Sequence, residues 1–435
     1  MDFTNKKIAV VGFGVEGQAT AAFLKNHGAL VTICDEKAQL AETDDYESQF
    51  GLNYLDKLND FDHIFRSPSI RPELLSRYSN ITTSTQYFLA NCPAVTIGVT
   101  GTKGKGTTST LIVKLLETIG QKAWLGGNIG TPKLSFLDDV DQSDVVVLEL
   151  SSFQLIDCNV SPDIAVCLMI EPDHLNWHPN MDEYIAAKAN ITTHQKPEDV
   201  FIYHPTNPNV QTIVAKSPAD KRPYMQAPSA HVEEAQIYFQ GKALMPVSQV
   251  GMIGSHNIEN ICAALTALEA YSASKNIDLD QYKQAIIDCI SSFKGLEHRL
   301  EFVREINDVK YYNDSFSTMP AAAIAGMKSF SSPVIAIIGG VDKNVTLDGL
   351  AAALTDCKQA ILIGEIAPKL EVLLTQRSFN RYQIVDGTMS DIVEAARVKA
   401  VSDDIVLLSP GSSSFDMFKS YKDRGEQFKQ VVNSL

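Results

Sequence analysis

Short apolar segments recur along the chain, and each is followed by a glycine-rich or polar turn and then by a stretch with helical periodicity. The segments are apolar throughout rather than alternating, which is typical of parallel strands covered by helices on both faces. The pattern therefore predicts an α/β protein built on parallel sheets. The predicted strands are 8–12, 94–99, 145–148, 164–170, 334–339, 360–363 and 405–408.

Two places in the chain are predicted as domain boundaries. One is near Cys92–Pro93, before a new strand, loop and helix, and the other is near 295–298, after helices predicted over 257–271 and 280–291. The less regular segment 221–252 is interpreted as a small antiparallel extension, with a hairpin-like turn at Gln240-Gly241. The predicted domains are 1–92, 93–296 and 297–435.

Composition and charge exclude several classes of protein. The 435 residues carry a formal net charge of −15, which works against nucleic acid binding because no basic stripe is present. The 7 cysteines are scattered singly, which argues for a reducing compartment and against a disulfide framework or a zinc site. No apolar stretch reaches membrane-spanning length. We therefore expect a cytoplasmic protein with no membrane or nucleic acid partner.

The first glycine cluster contains Gly12, Gly14 and Gly17, and Asp35 ends the next predicted strand. This spacing is the dinucleotide fingerprint, in which glycines let a diphosphate approach a helix N-terminus. Alone it indicates a diphosphate-bearing nucleotide better than it indicates NAD. A glycine turn that only packs a helix on a strand is the structural alternative.

A second glycine cluster is more specific, because it combines glycines, lysines and threonines between a strand and a helix predicted to run to about Ile119. Its backbone N–H groups are suited to phosphates, and Lys105 is placed to reach the outer ones. Thr107 or Thr108 would supply a hydroxyl. A loop this rich in glycine has a high conformational entropy to lose, so ATP binding is the better interpretation. Its predicted contacts are Gly101, Thr102, Lys103, Gly104, Lys105, Gly106 and Thr107.

Two metal-binding side chains follow later predicted strands. Glu149 ends the run 145–148, and His174 comes shortly after the run 165–170. Because the carboxyl ends of parallel strands share one sheet edge, both are expected to face the phosphate loop. Carboxylate and imidazole groups there would hold Mg²⁺.

Lys188 lies on the apolar stripe of a helix that is predicted to begin at an Asn180 cap with Glu183 three residues later. Burial would lower its pKa and free a neutral amine for chemistry. The alternative is a packed stem with the ammonium group in water. The spacing alone favours that alternative.

The last third of the chain contains three loops of interest: 312–315, 339–343 and 409–416. The last is predicted to begin a helix, and its serines and exposed N–H groups suit a carboxylate. Capping of the helix by Ser413 or Ser414 is the structural alternative, and both roles are compatible.

Taken together, the motifs resemble the Mur ligase superfamily over essentially the whole chain, and two of them resemble its D-glutamate-adding branch. Those two are Glu-Leu-Ser-Ser-Phe-Gln at 149–154 and Ser-Pro-Gly-Ser-Ser-Ser-Phe-Asp-Met-Phe at 409–418. The others are Gly-Val-Thr-Gly-Thr-Lys-Gly-Lys at 98–105, Gly-Asn-Ile-Gly at 127–130, Asp-His at 173–174, Ala-Lys at 187–188, Gly-Ser-His-Asn at 254–257 with Asn260, His-Arg at 298–299 and Asn-Asp-Ser at 313–315.

The resemblance implies a monomeric, cytoplasmic ligase that uses ATP to add D-glutamate to UDP-N-acetylmuramoyl-L-alanine through an acyl phosphate. This reaction belongs to peptidoglycan synthesis, and so to cell wall biogenesis, cell shape and cell division. Implied with it are three domains: a Rossmann-like N-terminal domain, a central P-loop-type ATPase domain on a parallel sheet, and a Rossmann-like C-terminal domain.

The resemblance also implies roles for individual residues. Asn260, Arg299 and Asp314 would contact the adenine, phosphates and ribose of ATP, and Lys188 would be carbamylated. Lys188 would join Lys105, Glu149 and His174 as the catalytic set, with Mg²⁺ on Glu149, His174 and Thr107. The UDP substrate would be held by Val15, Glu16, Asp35, Ser67, Asn128, Ser151 and Gln154, and the amino acid by Thr318, Lys343, Ser414 and Tyr421.

The chain departs from the family pattern in four places. Gly106 stands where Ser or Thr is usual, and folylpolyglutamate synthases often have Gly there. The usual Ser-Pro-Gly turn ends in Ser69, and Gly411-Ser412 replaces Ala-Cys. Phe316 replaces a lysine, so a cation expected near the incoming carboxylate is missing.

Three other functions fit part of the pattern. Gly106 favours a folylpolyglutamate synthase-like ligase, but the N-terminal nucleotide domain argues against it. An NAD-dependent oxidoreductase would use the first glycine cluster and leave the second phosphate loop unexplained. A non-enzymatic nucleotide-binding regulator would not need the full set of catalytic positions.

Overall fold

The computed structural model describes residues 2–37, 43–252, 254–343 and 345–435. The chain forms two compact units, the first comprising Met1–Val250 with Ser255–Ser292 and the second Gly251–Gly254 with Phe293–Leu435. None of the helices within the described ranges is long and apolar enough to cross a membrane.

The first unit begins with a five-stranded parallel sheet in the order β3-β2-β1-β4-β5. Its central strand is almost wholly buried, as expected for a parallel strand covered on both faces. The elements are β1 (Lys7–Val11), α1 (Val15–Asn26), β2 (Leu30–Asp35), β3 (Glu47–Phe50), β4 (His63–Arg66), β5 (Ile81–Thr83) and α2 (Ser84–Asn91).

A six-stranded parallel sheet in the order β11-β10-β9-β6-β8-β7 follows in the same unit. Every residue of β8 is buried, which explains its continuous run of valine and leucine. The elements are β6 (Val95–Thr100), α3 (Lys105–Thr118), β7 (Ala123–Gly127), β8 (Val145–Glu149), α4 (Ser152–Leu155), β9 (Ile164–Cys167), α5 (Met181–Thr193), β10 (Val200–Tyr203), α6 (Pro208–Val214) and β11 (Asp220–Pro223).

The predicted antiparallel extension is confirmed as a three-stranded sheet of β12 (His231–Glu233), β13 (Gln236–Phe239) and β14 (Lys242–Pro246). Gln240 and Gly241 make its last turn, both with positive φ. Two helices complete the unit, α7 (Ser255–Ser274) and α8 (Lys283–Ser292), and α7 packs against α3.

The second unit contains a six-stranded sheet in the order β15-β16-β20-β17-β18-β19, parallel except for the β15–β16 hairpin. Two hydrophobic clusters pack on its faces. The elements are β15 (Glu301–Ile306), β16 (Val309–Asn313), α9 (Pro320–Met327), β17 (Val334–Gly339), α10 (Asp348–Leu354), β18 (Gln359–Ile363), α11 (Ala367–Gln376), β19 (Tyr382–Ile384), α12 (Met389–Lys399), β20 (Ile405–Gly411) and α13 (Tyr421–Ser434).

The α/β fold with parallel sheets is confirmed, and one local prediction is wrong. The serine-rich loop does not begin a helix, because β20 runs on to Gly411 and α13 starts only at Tyr421. Ser420 caps that helix by accepting from the N–H of Asp423, whose carboxylate accepts from the N–H of Lys419. The start of α13 is therefore capped without Ser413 or Ser414. The domain bounds 1–92, 93–296 and 297–435 stay a prediction, although each segment carries its own parallel sheet.

Candidate active site

The predicted phosphate and metal residues of the first unit lie at one edge of its second sheet. β6 is the neighbour of both β8 and β9, and Val99 pairs with Glu149. The loops that follow these three strands therefore start side by side, as the parallel pattern predicts.

The loop after β6 requires glycine at two positions. Gly101 and Gly104 have φ values of 139° and 83°, in the range that only glycine adopts readily. A Cβ on Gly104 would also lie 2.4 Å from the side-chain oxygen of Asn260. That oxygen accepts from the hydroxyl of Thr108 at 3.3 Å, so Asn260 of α7 is held against the phosphate loop.

Lys105 is the first residue of α3, and its ammonium group curls back over the loop. Its Nζ donates to the carbonyls of Gly101 at 3.1 Å and Thr102 at 3.0 Å. It also lies 4.0 Å from the carboxylate of Glu149, which is only 3% exposed. A cation at a helix N-terminus beside N–H groups is the arrangement that binds phosphate.

The two other predicted metal ligands are less enclosed than Glu149. Thr107 is half-buried in the first turn of α3, directly after the loop. His174 lies seven residues beyond the end of β9, because that strand stops at Cys167, and it has a left-handed φ of 53°. Burial lowers its pKa, with Lys105 and Lys188 acting in the same direction and Asp173 opposing. A neutral imidazole of this kind is a good metal ligand.

Lys188 is buried, so the interpretation from spacing alone, an ammonium group in water, is wrong. The residue is 1% exposed, and Nζ donates to the carbonyl of Gly101 at 2.9 Å and to Thr100 Oγ1 at 3.4 Å. Burial lowers its pKa to about 7, and the nearby charge of Lys105 adds to the effect. A substantial fraction is therefore the neutral amine at neutral pH.

A buried histidine joins the loops that carry these residues, and no sequence motif identifies it. His178 bonds through Nε2 to Ser152 Oγ and through Nδ1 to Glu183 Oε1, both at 2.9 Å. It thereby links the start of α4, after Glu149, to the first turn of the helix that carries Lys188. Glu183 lies near His178 in the sequence, so that pairing could be recognised locally. Ser152 is brought next to His178 only by the tertiary fold.

The first glycine cluster folds as the fingerprint predicts. Gly12 has a φ of 89°, and a Cβ on Gly17 would lie 2.1 Å from the Gly12 carbonyl. That carbonyl accepts from Ser67 Oγ at 2.6 Å. Asp35 accepts from the N–H of Phe13 at 2.9 Å, so its carboxylate orients the turn itself.

Glu16 is engaged by other protein side chains rather than being left open to solvent. Its carboxylate accepts from Ser84 Oγ at 2.8 Å and from Gln154, and it pairs with the buried Lys133 at 3.0 Å. Burial raises the pKa of Glu16, but Lys133 and the hydrogen bonds outweigh it, so the net shift is downward. Lys133 was not predicted, because an isolated lysine gives no sequence signal of burial.

The remaining predicted substrate residues of the first unit are spread over three places. Ser151 and Gln154 form a capping box at the start of α4. Val15 is exposed at the start of α1, and Asn128 is exposed after β7, where its N–H donates to the Glu149 carbonyl at 2.9 Å. Their contact with a UDP substrate stays a prediction.

In the second unit, Asp314 is a buried carboxylate at the end of β16. One oxygen accepts from Ser317 Oγ and from Ser409 Oγ, each at 2.6 Å, and the other accepts from the N–H of Leu300. Burial raises its pKa to about 6 despite these hydrogen bonds. Its contact with ribose stays a prediction.

Phe316 forms a cation–π contact in place of the family's lysine. The guanidinium of Arg299 lies 3.9 Å from the centre of the Phe316 ring. The ring of Tyr421 meets Phe316 edge-on at 5.0 Å. Phe316 therefore contacts both Arg299 and Tyr421, which were predicted as ligand-binding residues. In the sequence Phe316 itself was noted only as a departure from the family pattern.

Two residues predicted to bind the amino acid, Lys343 and Thr318, are in contact. Lys343 Nζ donates to the carbonyl of Thr318 at 3.0 Å. Ser414 is buried, and its hydroxyl has no hydrogen-bond partner among the described residues. Next to this loop lies Arg424, a fully buried guanidinium that sequence reasoning missed.

Comparison with known families gives two matches. The family described as "Mur ligase middle domain" matches residues 99–268, and "Mur ligase, glutamate ligase domain" matches residues 298–411. The two matches include most of the motifs from which the resemblance was drawn, but the second ends at residue 411, within the serine motif 409–418.

Full-length relatives are also similar. A protein of Ruminiclostridium cellulolyticum named UDP-N-acetylmuramoylalanine–D-glutamate ligase is 37% identical, with 100% of this chain and 98% of the relative covered. A protein of Acetivibrio thermocellus with the same name is 36% identical, with 99% and 97% covered.

Solved structures with a similar fold include two ligases. The MurF ligase of Thermotoga maritima in complex with ADP has a TM-score of 0.59 at 17% identity, covering 99% of this chain and 96% of its own. The UDP-N-acetylmuramate–alanine ligase of the same organism has a TM-score of 0.58 at 16% identity, covering 99% and 100%. At this identity the likeness concerns the fold.

Proposed function

This chain belongs to the Mur ligase family, and from that membership we propose that it uses ATP to join D-glutamate to UDP-N-acetylmuramoyl-L-alanine. The observation that carries the proposal within the structure is the group of Lys105, Glu149 and Lys188 around one glycine loop. Such a cluster of buried charges and a perturbed lysine is typical of a reaction centre. The identity of the substrates is taken from the names of the relatives, which align with nearly the whole chain.

Lys105 and the loop N–H groups would bind the phosphates of ATP. The substrate carboxylate attacks the γ-phosphorus, the bond to the β-phosphate oxygen breaks, and an acyl phosphate and ADP result. Lys105 offsets the negative charge that develops on the transferred group. The amine of the amino acid then attacks the acyl carbon, phosphate leaves, and the nitrogen loses a proton as the amide forms.

The donor set fits Mg²⁺, because Glu149 offers a buried carboxylate 4.0 Å from Lys105 and Thr107 offers a hydroxyl on the adjoining helix turn. His174 would be a nitrogen ligand from the opposite loop. When bound, Mg²⁺ neutralises phosphate charge during phosphoryl transfer. We propose these three residues as its ligands.

Lys188 would act as a carbamate. Its neutral amine can add to CO₂ with loss of a proton, which replaces a cation beside Lys105 with an anion. The burial of Nζ and the pKa of about 7 support this, because an ammonium group cannot react and is poorly solvated there.

The remaining assignments follow the same proposal. The nucleotide of the UDP substrate would bind near Val15, Glu16, Asp35 and Ser67, with Asn128, Ser151 and Gln154 nearer the reacting end. The adenine, phosphates and ribose of ATP would contact Asn260, Arg299 and Asp314, and Thr318, Lys343, Ser414 and Tyr421 would hold D-glutamate. We also propose a cytoplasmic location, since the reaction needs ATP and a soluble nucleotide sugar, and a monomer, as the family resemblance implies.

The reaction itself is tested by following ADP and phosphate release from purified enzyme. We expect release to require ATP, UDP-N-acetylmuramoyl-L-alanine and D-glutamate together, because the acyl phosphate is consumed only by the amine. L-Glutamate, D-aspartate and D-alanine should support turnover poorly. Turnover with a neutral D-amino acid at the rate seen with D-glutamate would refute the choice of amino acid and leave the ligase assignment standing.

Changing Phe316 to lysine tests the role of the cation–π contact. The new ammonium group would meet the guanidinium of Arg299, which the ring now holds at 3.9 Å. Since a cation–π contact is worth about 0.5–2 kcal/mol, the KM for ATP should rise roughly 2- to 30-fold. Phe316→Tyr keeps the ring and serves as the matched control. A lower KM for D-glutamate with no change for ATP would show instead that a cation at this position binds the amino acid.

A further inference from the structure

A buried lysine is paired with the acidic residue of the helix that follows the first glycine cluster. Lys133 is 1% exposed, and its Nζ lies 3.0 Å from Glu16 Oε1. The same Nζ donates to Ser84 Oγ at 3.4 Å. Within the described ranges, Lys133 is the only cation that forms an ion pair with Glu16. The charge of this carboxylate is therefore compensated by one residue, which comes from the segment after β7.

Glu16 stands where an anionic ligand is expected. Gly14 is the N-terminal cap of α1, and Glu16 is the acidic residue of its first turn. The first N–H groups of a helix have no partner within the helix and carry partial positive charge. In the dinucleotide fingerprint this end of the helix binds a diphosphate. An uncompensated carboxylate in the same turn would repel that diphosphate.

Hydrogen bonds hold the Glu16 carboxylate in place. Oε2 accepts from Ser84 Oγ at 2.8 Å, and Oε1 accepts from Nε2 of Gln154. The Gln154 amide is itself oriented, because its oxygen accepts from the N–H and the hydroxyl of Ser151 at 2.9 and 3.0 Å. Burial raises the pKa of Glu16, but Lys133 and the hydrogen bonds outweigh it, so the carboxylate is charged at neutral pH. Rotation away from these donors would leave them unpaired, which is costly.

The other acidic residue of this turn is used by the backbone. Asp35 accepts from the N–H of Phe13 at 2.9 Å and from the N–H of Lys37 at 3.0 Å. In the dinucleotide fingerprint an acid at this position faces the ribose rather than the phosphates. Glu16 is therefore the acid whose charge bears most directly on a diphosphate at the start of α1.

We propose that Lys133 positions and neutralises Glu16, so that the first turn of α1 stays attractive to the diphosphate of the UDP substrate. The inference rests on the proposed function, since it concerns how that substrate binds. Lys133 acts through Glu16 and is a positioning residue. Removing the cation should weaken diphosphate binding, and removing the acid should strengthen it. A residue that only packs α1 in place would give weaker binding in both cases.

The test measures the dissociation constant of UDP by calorimetry at low salt and about pH 8, where the Glu16 carboxylate is ionised and screening is weak. We expect Lys133→Met to raise this constant roughly 10- to 100-fold, the effect of leaving one partner of a buried charge pair alone. Glu16→Gln should lower it roughly 3- to 10-fold, because Lys133 then faces the diphosphate uncompensated. The double variant should lie within about threefold of wild type, since the two changes are coupled.

Uridine is the matched ligand, because it lacks only the diphosphate. Its dissociation constant, followed by NMR titration, should change by no more than about twofold in each variant, since it carries no charge for Lys133 or Glu16 to act on. A change as large as that for UDP would mean a structural role. Lys6→Met is the matched control variant, because Lys6 pairs with Asp62 at 3.7 Å on the surface. It should alter neither constant by more than about twofold.

A half-reaction separates this proposal from the proposed function. Hydroxylamine attacks an acyl phosphate, so that a carbon–nitrogen bond forms, the nitrogen loses a proton, phosphate leaves and a hydroxamate accumulates without any amino acid. Wild type and Lys133→Met should both make hydroxamate, the variant with a raised KM for the UDP substrate and a kcat within about threefold of wild type. No hydroxamate from wild type would contradict the acyl phosphate route itself, and the UDP titrations would still decide the role of Lys133.

Two results would overturn the role of Lys133 alone. One is weaker binding of UDP in Glu16→Gln, and the other is a double variant that binds UDP no better than Lys133→Met. If Lys133→Met does not fold, as judged by its thermal melt, Glu16→Gln decides the question. Tighter binding of UDP with no change for uridine would support the proposal, and an unchanged constant for UDP would refute it.

Discussion

Replacing Lys105 with alanine is expected to reduce turnover by at least about 100-fold, the scale of losing a preorganised electrostatic contact. Lys105 is the cation that the glycine loop holds at the start of α3, and it neighbours the buried Glu149. Its loss would remove the charge that offsets the transferred phosphoryl group. The measurement is kcat for ADP release at saturating substrates, with hydroxamate formation as a second readout of the same step.

The same loss is expected for Glu149→Ala, because the proposed metal would lose its buried carboxylate. His174→Ala should also reduce turnover by at least about 100-fold if its imidazole is a ligand. Lys114→Ala and Glu117→Ala are matched controls, since both are exposed on α3. Near-normal turnover in any of the three site variants would remove that residue from the site.

Lys188→Ala is expected to be almost inactive and to recover in part when short carboxylates such as acetate or propionate are added. The substitution removes the buried side chain whose Nζ now donates to the carbonyl of Gly101, and a small carboxylate that enters the vacated space would restore the anion of the carbamate. We expect a loss of at least about 100-fold in kcat, with rescue that saturates with carboxylate concentration. Lys196→Ala, exposed just after α5, is the control and should show neither effect.

The carbamate can also be observed directly. Because the pKa of Lys188 is lowered to about 7, the reactive neutral amine is present above that pH and is lost as the pH falls below it. Wild-type enzyme in ¹³C-bicarbonate should therefore give a carbamate carbon signal that weakens toward acid pH and is missing in Lys188→Ala. An active preparation without that signal, and with no rescue of the variant, would contradict the carbamate.

Much of the fold could be predicted from local pattern. The runs of valine, isoleucine and leucine in β8 and β17 indicate buried parallel strands, and both are buried over their whole length. The cap of α5 was also predictable, since Asn180 accepts from the N–H of Glu183 at 2.9 Å. These features depend on backbone geometry and on side chains a few residues apart.

Strand ends and the serine loop were harder to predict. β9 stops at Cys167, three residues before its apolar run ends, while β20 continues through Pro410 to Gly411. Pairing with neighbouring strands decides both ends, because a backbone group leaves the ladder when its partner strand turns away. The serine loop likewise has helix-capping residues but no helix, since capping around Ser420 begins α13 later.

Local sequence is enough to predict the two glycine loops, the cation at the head of α3 and the acid at the end of β8, because steric limits on φ and the shared edge of parallel strands act locally. Which charges are buried, and how they are paired, depends on the fold. Lys188, Lys133 and Arg424 are ordinary cations in the sequence, yet each is at most 1% exposed in the fold. Desolvation and pairing depend on neighbours brought from distant segments, such as Glu16 for Lys133 and Ser315 for Arg424, and no local pattern records them.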